Sequence, residues 1–126
     1  MSKKNEAIRH GLKDNKTIER FNSKLIPQNN GCIEFNSSMW DSRDTYRRFA
    51  ITYHVKDKSF FANVKAHRFA YALHYGFDKL PESKIFTAKT KVVNHLCHNK
   101  KCVNPKHLSI LTNSENVTTE NKKPRK

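Results

Sequence analysis

Long apolar runs are missing from this sequence of 126 residues. The longest, such as FAYAL at residues 69–73, fall far short of the roughly 20 residues that a membrane-spanning helix needs. The first fourteen residues contain no apolar segment of the kind that a secretory signal requires. We therefore expect a soluble protein that is not secreted and does not bind membranes, located in the cytoplasm or with DNA in the nucleoid or nucleus.

Acidic residues are also scarce. There are 11 Asp and Glu residues against 25 Lys and Arg residues, which gives a net charge of +14. Such an excess predicts a polyanionic partner, and nucleic acid is favoured over a membrane because no helix shows a wide apolar face. The apolar fraction of 36% lies below the roughly 45–50% of typical domains. This predicts a thin core, which a structural metal would help to stabilise.

The three cysteines form an odd set, which excludes complete pairing into internal disulfides. Cys97, Cys102 and His107 follow one another at intervals of five residues, a spacing typical of a metal held between chain segments. A closed structural zinc site has four ligands, and Cys32 would supply the fourth. The alternative is that Cys32 is a buried, inert residue and that all three thiols are reduced and unligated.

The residue pattern predicts one α+β domain over residues 15–121, between a flexible N-terminus at 1–14 and a basic tail at 122–126. The predicted elements are, in chain order, a helix at 15–25 capped by Thr17, a short strand at 32–35, a hairpin of strands at 45–55 and 59–66, a helix at 67–75, strands at 92–95 and 108–112, and a last helix capped by Asn113 or Ser114.

The predicted hairpin is rich in basic residues. A basic two-stranded ribbon fits the major groove of double-stranded DNA, where it can contact phosphates and base edges together. For any single residue, an ordinary solvated sheet face explains the charge about as well. The DNA-binding candidates are Arg47, Arg48, Lys56, Lys58 and Lys65 on the hairpin and Arg68 on the helix that follows.

The motif His95-x-Cys97-x4-Cys102-x-Asn104-Pro105-x-His107-Leu108, followed by Asn116, resembles the HNH (His-Me finger) endonucleases. The likeness is to the zinc-loop type found in His-Cys box homing endonucleases and phage HNH endonucleases. It extends over about residues 17–121 and is strongest from residue 92 onward. It implies a small ββα-metal core (strand, metal loop, strand, helix) with an antiparallel β-hairpin upstream and a structural zinc site.

The resemblance also implies a role for each residue of the motif. His95 corresponds to the general base that activates water, and Asn116 to a ligand of the catalytic Mg²⁺. Asn104 corresponds to a residue that braces the loop through backbone hydrogen bonds. The structural zinc ligands would be Cys32, Cys97, Cys102 and His107.

These roles predict a Mg²⁺-dependent DNA endonuclease that leaves 5′-phosphate and 3′-hydroxyl ends. A neutral imidazole suits water activation near neutral pH, whereas the oxygen ligands of Mg²⁺ and the thiolates of zinc separate the tasks of the two metals. The main alternative is a zinc-stabilised DNA-binding module without cleavage activity, and a secreted nuclease toxin is a weaker one. The oligomeric state is open between a monomer and a homodimer, because the second, C-terminal zinc site of His-Cys box enzymes has no cysteines here.

Overall fold

Short helices and antiparallel hairpins make up the computed structural model, which describes residues 3–36, 46–81, 91–97 and 99–112. The strands pair within three separate hairpins, β1–β2, β3–β4 and β5–β6. The predicted α+β class with antiparallel hairpins is confirmed. The elements are α1 (Lys3–Gly11), α2 (Asn15–Asn22), β1 (Leu25–Pro27), β2 (Ile33–Phe35), β3 (Arg48–Val55), β4 (Lys58–Lys65), α3 (Ala66–Tyr75), β5 (Lys91–His95) and β6 (Leu108–Thr112), with 3₁₀ turns at Phe77–Lys79 and Pro105–His107.

Four phenylalanines form the centre of the core. Phe21 of α2, Phe35 of β2, Phe49 of β3 and Phe69 of α3 are all buried. Their rings contact one another at centroid distances of 4.8 to 5.6 Å, in stacked, tilted and edge-on arrangements. Aromatic side chains each bury a large apolar area, so this cluster compensates for the low apolar content of the chain. It also ties the short hairpin β1–β2 to the rest of the fold.

The N-terminal segment is ordered into α1, whereas its polar composition predicted a flexible start over residues 1–14. Ala7 and Ile8 are fully buried, and the helix packs across both strands of the hairpin β3–β4. Gly11 permits this approach, because a Cβ atom there would lie 3.1 Å from the ring of Phe69. The prediction was wrong because a few apolar residues on one face, Ala7 and Ile8, are enough to hold α1 in place. They do so because the hairpin β3–β4 packs against that face. In the described part of the chain, no helix is long and apolar enough to cross a membrane.

The second helix is shorter than predicted and is capped by a different residue. Asp14, rather than Thr17, is the N-cap, and its carboxylate accepts hydrogen bonds from the Lys16 backbone N–H (3.2 Å) and the Thr17 hydroxyl (2.8 Å). The helix ends at Asn22, because Leu25 pairs with Phe35 across the hairpin β1–β2. Cross-strand pairing therefore overrides the helical periodicity that included Leu25.

The predicted basic hairpin is confirmed as β3–β4, with a two-residue turn at Lys56–Asp57 where Lys56 adopts a left-handed φ of 57°. The register pairs Phe49 with Val64 and Arg48 with Lys65. Successive side chains of a strand point to opposite faces, so the face with Phe49 and Val64 packs on the core and the face with Arg48 and Lys65 lies on the other side.

The last hairpin, β5–β6, matches the predicted strands and pairs Lys91 with Thr112 and His95 with Leu108. It supplies the two strands of the expected ββα arrangement and leaves residues 96–107 as the loop between them. The predicted last helix, with its cap at Asn113 or Ser114, lies outside the described residues, and so does the tail at 122–126.

Candidate active site and metal centre

The strand β2 carries Cys32 to the loop between β5 and β6. An antiparallel bridge joins Glu34 to Cys102. The Phe35 N–H donates to the Lys101 carbonyl at 3.1 Å, and the Val103 N–H donates to the Ile33 carbonyl at 2.7 Å. Cys32 directly precedes β2, so this short ladder brings its side chain to a loop about 70 residues further along the sequence.

Cys32, Cys97, Cys102 and His107 come together, as the sequence predicted. Their sulfur and nitrogen ligand atoms all lie within 4.8 Å of one another. The sulfurs of Cys32 and Cys102 are each 3.5 Å from Nδ1 of His107. Zn–S bonds of about 2.3 Å and Zn–N bonds of about 2.0–2.1 Å in a tetrahedron give sulfur–nitrogen edges of about 3.6 Å. The four residues could therefore hold a zinc ion through Nδ1 of His107.

The thiols of Cys97 and Cys102 are costly to ionise by themselves. Burial raises the pKa of the Cys102 thiol to about 12, and burial likewise raises the pKa of Cys97. Zinc binds the thiolate, and its positive charge offsets the cost of placing negative sulfur in a buried site. The donor set thus matches zinc both in chemistry and in geometry.

The loop is braced by amide side chains on both sides of the cluster. Asn104 donates from Nδ2 to the Gly31 carbonyl at 2.8 Å, and its Oδ1 accepts from the Lys106 N–H at 3.0 Å. Asn99 donates to the Glu34 carboxylate at 3.0 Å. Gly31 has a φ of 89°, a left-handed conformation in which a side chain is strained. Asn104 thus makes backbone hydrogen bonds of the kind that a bracing role requires, to both the loop and the β1–β2 turn.

His95 ends β5 directly before the zinc loop, and its side chain is only 5% exposed. Its Nε2 lies 3.0 Å from the carbonyl oxygen of Cys102. A carbonyl can only accept a hydrogen bond, so Nε2 carries the proton and Nδ1 of the neutral ring keeps its lone pair. The carbonyl belongs to a candidate zinc ligand, so the order of the zinc loop fixes the tautomer of His95.

Two aromatic residues that the sequence analysis did not single out contact His95. The ring of His67 lies 4.4 Å from that of His95, and Tyr46 stacks over both rings at 5.0 and 5.7 Å. His67 is at the start of α3 and bonds to the backbone of Val93, two residues before His95. The signal in the sequence was a histidine within an otherwise apolar helix, which we read only as the start of that helix.

His67 is held in its neutral form. Burial lowers its pKa well below the usual value, and the nearby charges of His95, Lys65 and Arg68 lower it further, against a hydrogen bond to Val93 that raises it. The side chain is buried, and its Nδ1 has no hydrogen-bond partner among the described residues. The neighbour of His95 is therefore an uncharged ring that packs against it.

The DNA-binding candidates fall into three places. Lys56 and Lys58 are exposed at the tip of the hairpin β3–β4, and Arg47, Arg48 and Lys65 lie at its base, partly buried, on the side of Tyr46 and His67. The tip and the base are thus both basic, at opposite ends of the ribbon.

Arg68 departs from the expectation. Its side chain is buried, and its guanidinium donates to the Asn5 side chain at 2.7 Å and to the Pro81 carbonyl. It joins α1 to the segment after α3, which makes it a residue of the interior rather than a DNA contact. The prediction failed because the basic character of Arg68 gave no indication of the helix face on which it lies.

Asn116, the proposed magnesium ligand, lies outside the described residues. Its role and the catalytic role of His95 therefore stay predictions.

Comparison with protein families gives a match to the HNH endonuclease family over residues 64–118. A comparison with curated proteins finds no match. The matched residues include His95, the zinc loop and Asn116, whereas Cys32 lies upstream of them. The family agrees with the one that the sequence motif resembles. Residues 64–118 are therefore similar to HNH endonuclease domains, and this similarity suggests a nuclease-type function.

Proposed function

We propose that this protein is a Mg²⁺-dependent DNA endonuclease of the homing or phage HNH type, with His95 as general base and a structural zinc ion in its loop. The observation that carries the proposal is the hydrogen bond between Nε2 of His95 and the Cys102 carbonyl. In the neutral imidazole this bond leaves the lone pair on Nδ1, which is the form needed to take a proton from water. The match to the HNH endonuclease family supports the same reaction class.

In this mechanism, Nδ1 of His95 accepts a proton from the water that attacks the phosphorus atom. The Cys102 carbonyl prevents rotation of the ring, and the neutral ring of His67 supports it from the side. The P–O3′ bond breaks and the departing O3′ takes a proton from solvent water, which leaves a 5′-phosphate and a 3′-hydroxyl group. Mg²⁺, when bound, would stabilise the charge on the phosphate and on the departing oxygen. The side-chain oxygen of Asn116 would hold it, with few other protein ligands needed.

Zinc has a different task in the proposal. Cys32, Cys97, Cys102 and His107 would hold it away from the reaction and thereby fix the loop that supplies the Cys102 carbonyl. We propose one zinc ion per chain.

Double-stranded DNA is the proposed substrate because the chain carries a net charge of +14 and exposes a long two-stranded ribbon. Contacts to phosphate provide most of the affinity of such basic proteins. On the face of the ribbon away from the core, Phe61 is 64% exposed and pairs with Thr52. Apolar and hydroxyl side chains on such a face can contact base edges and thymine methyl groups. The choice between a monomer and a homodimer stays open, and the mass in solution would decide it.

The test is plasmid cleavage. The protein should nick or linearise plasmid DNA in the presence of Mg²⁺, and EDTA should stop the reaction. His95→Ala and Asn116→Ala should each lose most of the cleavage, roughly 100-fold or more, with DNA binding retained. His74→Ala and Asn22→Ala, at exposed positions on α3 and α2, are matched controls that should cleave like the wild type. Equal cleavage by the wild type and His95→Ala would contradict the assignment of His95 as general base, whereas a wild type that binds DNA without cutting it would favour a DNA-binding module.

A further inference from the structure

Two lysines from distant parts of the chain converge on one aromatic ring beside His95. The Nζ atom of Lys65, the last residue of β4, lies 4.5 Å from the ring centre of Tyr46. The Nζ atom of Lys100, in the zinc loop, lies 5.2 Å from the same centre. The two ammonium groups are thus within about 10 Å of each other, a separation at which 0.1 M salt still leaves charges interacting.

The same ring contacts His95. Tyr46 stacks with His95 at 5.7 Å and with His67 at 5.0 Å, and those two histidine rings are 4.4 Å apart. Both histidines therefore lie in one direction from Tyr46. The two ammonium groups and the ring of His95 are therefore gathered around one aromatic side chain. The ring of Tyr46 thus connects the two lysines to the proposed reaction site at His95.

The chemistry of this arrangement favours an anion. Like charges repel, and contact with the electron-rich face of an aromatic ring offsets only part of that repulsion. Lys100 is exposed and has no carboxylate within ion-pair distance among the described residues. Lysine ammonium groups bind phosphate as compact charges with several donors, and a phosphodiester offers two charged oxygens for them to share.

We propose that Lys65 and Lys100, held over the ring of Tyr46, bind the phosphate group of the DNA backbone that is presented to His95. The inference rests on the proposed function for its ligand, and it assigns the positioning of the phosphate to residues outside the recognised motif. Lys100 lies between Cys97 and Cys102, so the site also depends on an ordered zinc loop. Zinc would thereby control both the tautomer of His95 and one of the two phosphate contacts.

The experiment uses the zinc-loaded full chain with Lys65→Ala, Lys100→Ala and the double variant. The first readout is the single-turnover cleavage rate with enzyme in excess over a duplex oligonucleotide. Each single variant should lower that rate by about tenfold or more, because an electrostatic contact to the reacting group is lost. The double variant should lose less than the product of the two effects, because both lysines bind one group. Lys79→Ala, which removes the same charge from an exposed 3₁₀ turn, should leave the rate unchanged.

The second readout separates this proposal from the proposed function. Binding of the same duplex is measured in EDTA, without cleavage, as the slope of log affinity against log salt concentration. Each lysine variant should reduce the slope by about one, as expected for one lost phosphate contact. Rates within twofold of the wild type, or a slope change no greater than that of Lys79→Ala, would overturn the phosphate site. A wild type that binds with the expected slopes but does not cut would overturn only the endonuclease.

Tyr46 is tested through its ring. Tyr46→Phe keeps the aromatic face and should retain cleavage within about threefold, whereas Tyr46→Leu should behave like the lysine variants. A melting temperature equal to that of the wild type is required of both proteins, since Tyr46 also packs on His67. Equal losses of cleavage rate for Tyr46→Phe and Tyr46→Leu would show that the hydroxyl group matters and not the ring. That result would overturn the proposed role of the Tyr46 ring.

Discussion

The aromatic core and the zinc loop are two regions of one small domain, and different kinds of interaction hold each of them in place. The core is held by phenylalanine rings that exclude water, and its backbone is regular. The zinc loop has little apolar surface of its own; it contains amide braces, a bridge to β2 and a group of four side chains that could hold a metal. The site that we propose for catalysis lies where the two regions meet, with His67 on one side and the Cys102 carbonyl on the other.

The difference shows how a thin core can still support a well-ordered site. Hydrophobic packing fixes elements but not the path of a polar loop, since burying unpaired backbone groups costs free energy. A metal with four ligands fixes such a path over a few residues. Cys32 directly precedes the short strand β2 and Phe35 ends it, so that strand belongs to both regions and joins them.

The largest effect should come from removing the proposed metal. Cys102→Ser should lose zinc and destabilise the protein by on the order of 5 kcal/mol, because a buried four-ligand site loses its metal. Elemental analysis should show about one zinc per wild-type chain and much less in the variant.

Chelation of wild-type zinc should expose the loop amides of Cys102, Val103 and His107 to hydrogen exchange well before those of β3 and β4. Simultaneous exposure of loop and hairpin would show that the two regions are not separate. Cys32→Ser with unchanged zinc content would remove Cys32 from the ligand set.

The next effect comes from the core. Phe49→Ala should lower the free energy of unfolding by about 3–5 kcal/mol, because it leaves a cavity among three other rings. Urea denaturation measures the change, and zinc stoichiometry should stay at one ion per chain in the folded protein. Phe61→Ala is the matched control: it removes the same ring from the opposite face of the same hairpin and should change stability by less than about 0.5 kcal/mol. A similar loss in both variants would contradict the assignment of the two faces.

A smaller effect should follow from the brace between the regions. Asn104→Ala removes the bonds to Gly31 and to Lys106 and should cost about 1–2 kcal/mol. Zinc affinity, measured by competition with a chelator, should fall about tenfold, as expected when a group that orients the metal ligands is lost. Asn22→Ala, exposed on α2, should change neither quantity. An affinity equal to that of the wild type would show that the zinc set holds its geometry without this brace.

The smallest effect depends on pH. The pKa of His67 is lowered in the folded state by burial, and by the charges of His95, Lys65 and Arg68. Below about pH 6.5, the unfolded chain therefore binds a proton that the folded chain rejects, and stability falls as pH decreases, by at most about 1.4 kcal/mol per pH unit. His67→Gln should remove this part of the loss between pH 7.5 and 5.5, as measured by urea denaturation in excess zinc. Protonation of the zinc ligands affects both proteins alike, so identical pH slopes would show that His67 does not contribute.

Much of the candidate site was predictable because its residues are close in sequence. The spacing of Cys97, Cys102 and His107 reflects a loop closed on a metal, and such spacing is visible without a structure. The hairpin β3–β4 was equally clear, since its β-branched and aromatic residues surround a short polar turn. The helix α1 was missed altogether, because two apolar residues form a helix face only when another element packs on them.

Other residues depend on contacts between distant segments. Lys65, Lys100 and Tyr46 are up to 54 positions apart in the sequence and meet only in three dimensions. Arg68 shows the converse, because the basic residue that the sequence favoured for DNA binding is buried against Asn5 and Pro81. Charge is a property of the residue, whereas exposure is a property of the fold.

The sequence by itself determined the chemistry: a basic chain, a set of zinc-binding residue types and a histidine beside them. Residue identity fixes ligand type and charge, so these features need no coordinates. The tertiary structure decided which of those groups meet and in what state. The ladder between β2 and the loop brings Cys32 to the metal centre, and the Cys102 carbonyl fixes the proton on Nε2 of His95. The first follows from backbone hydrogen bonds between segments far apart in the chain, and the second from a side-chain hydrogen bond across the loop; local sequence patterns encode neither.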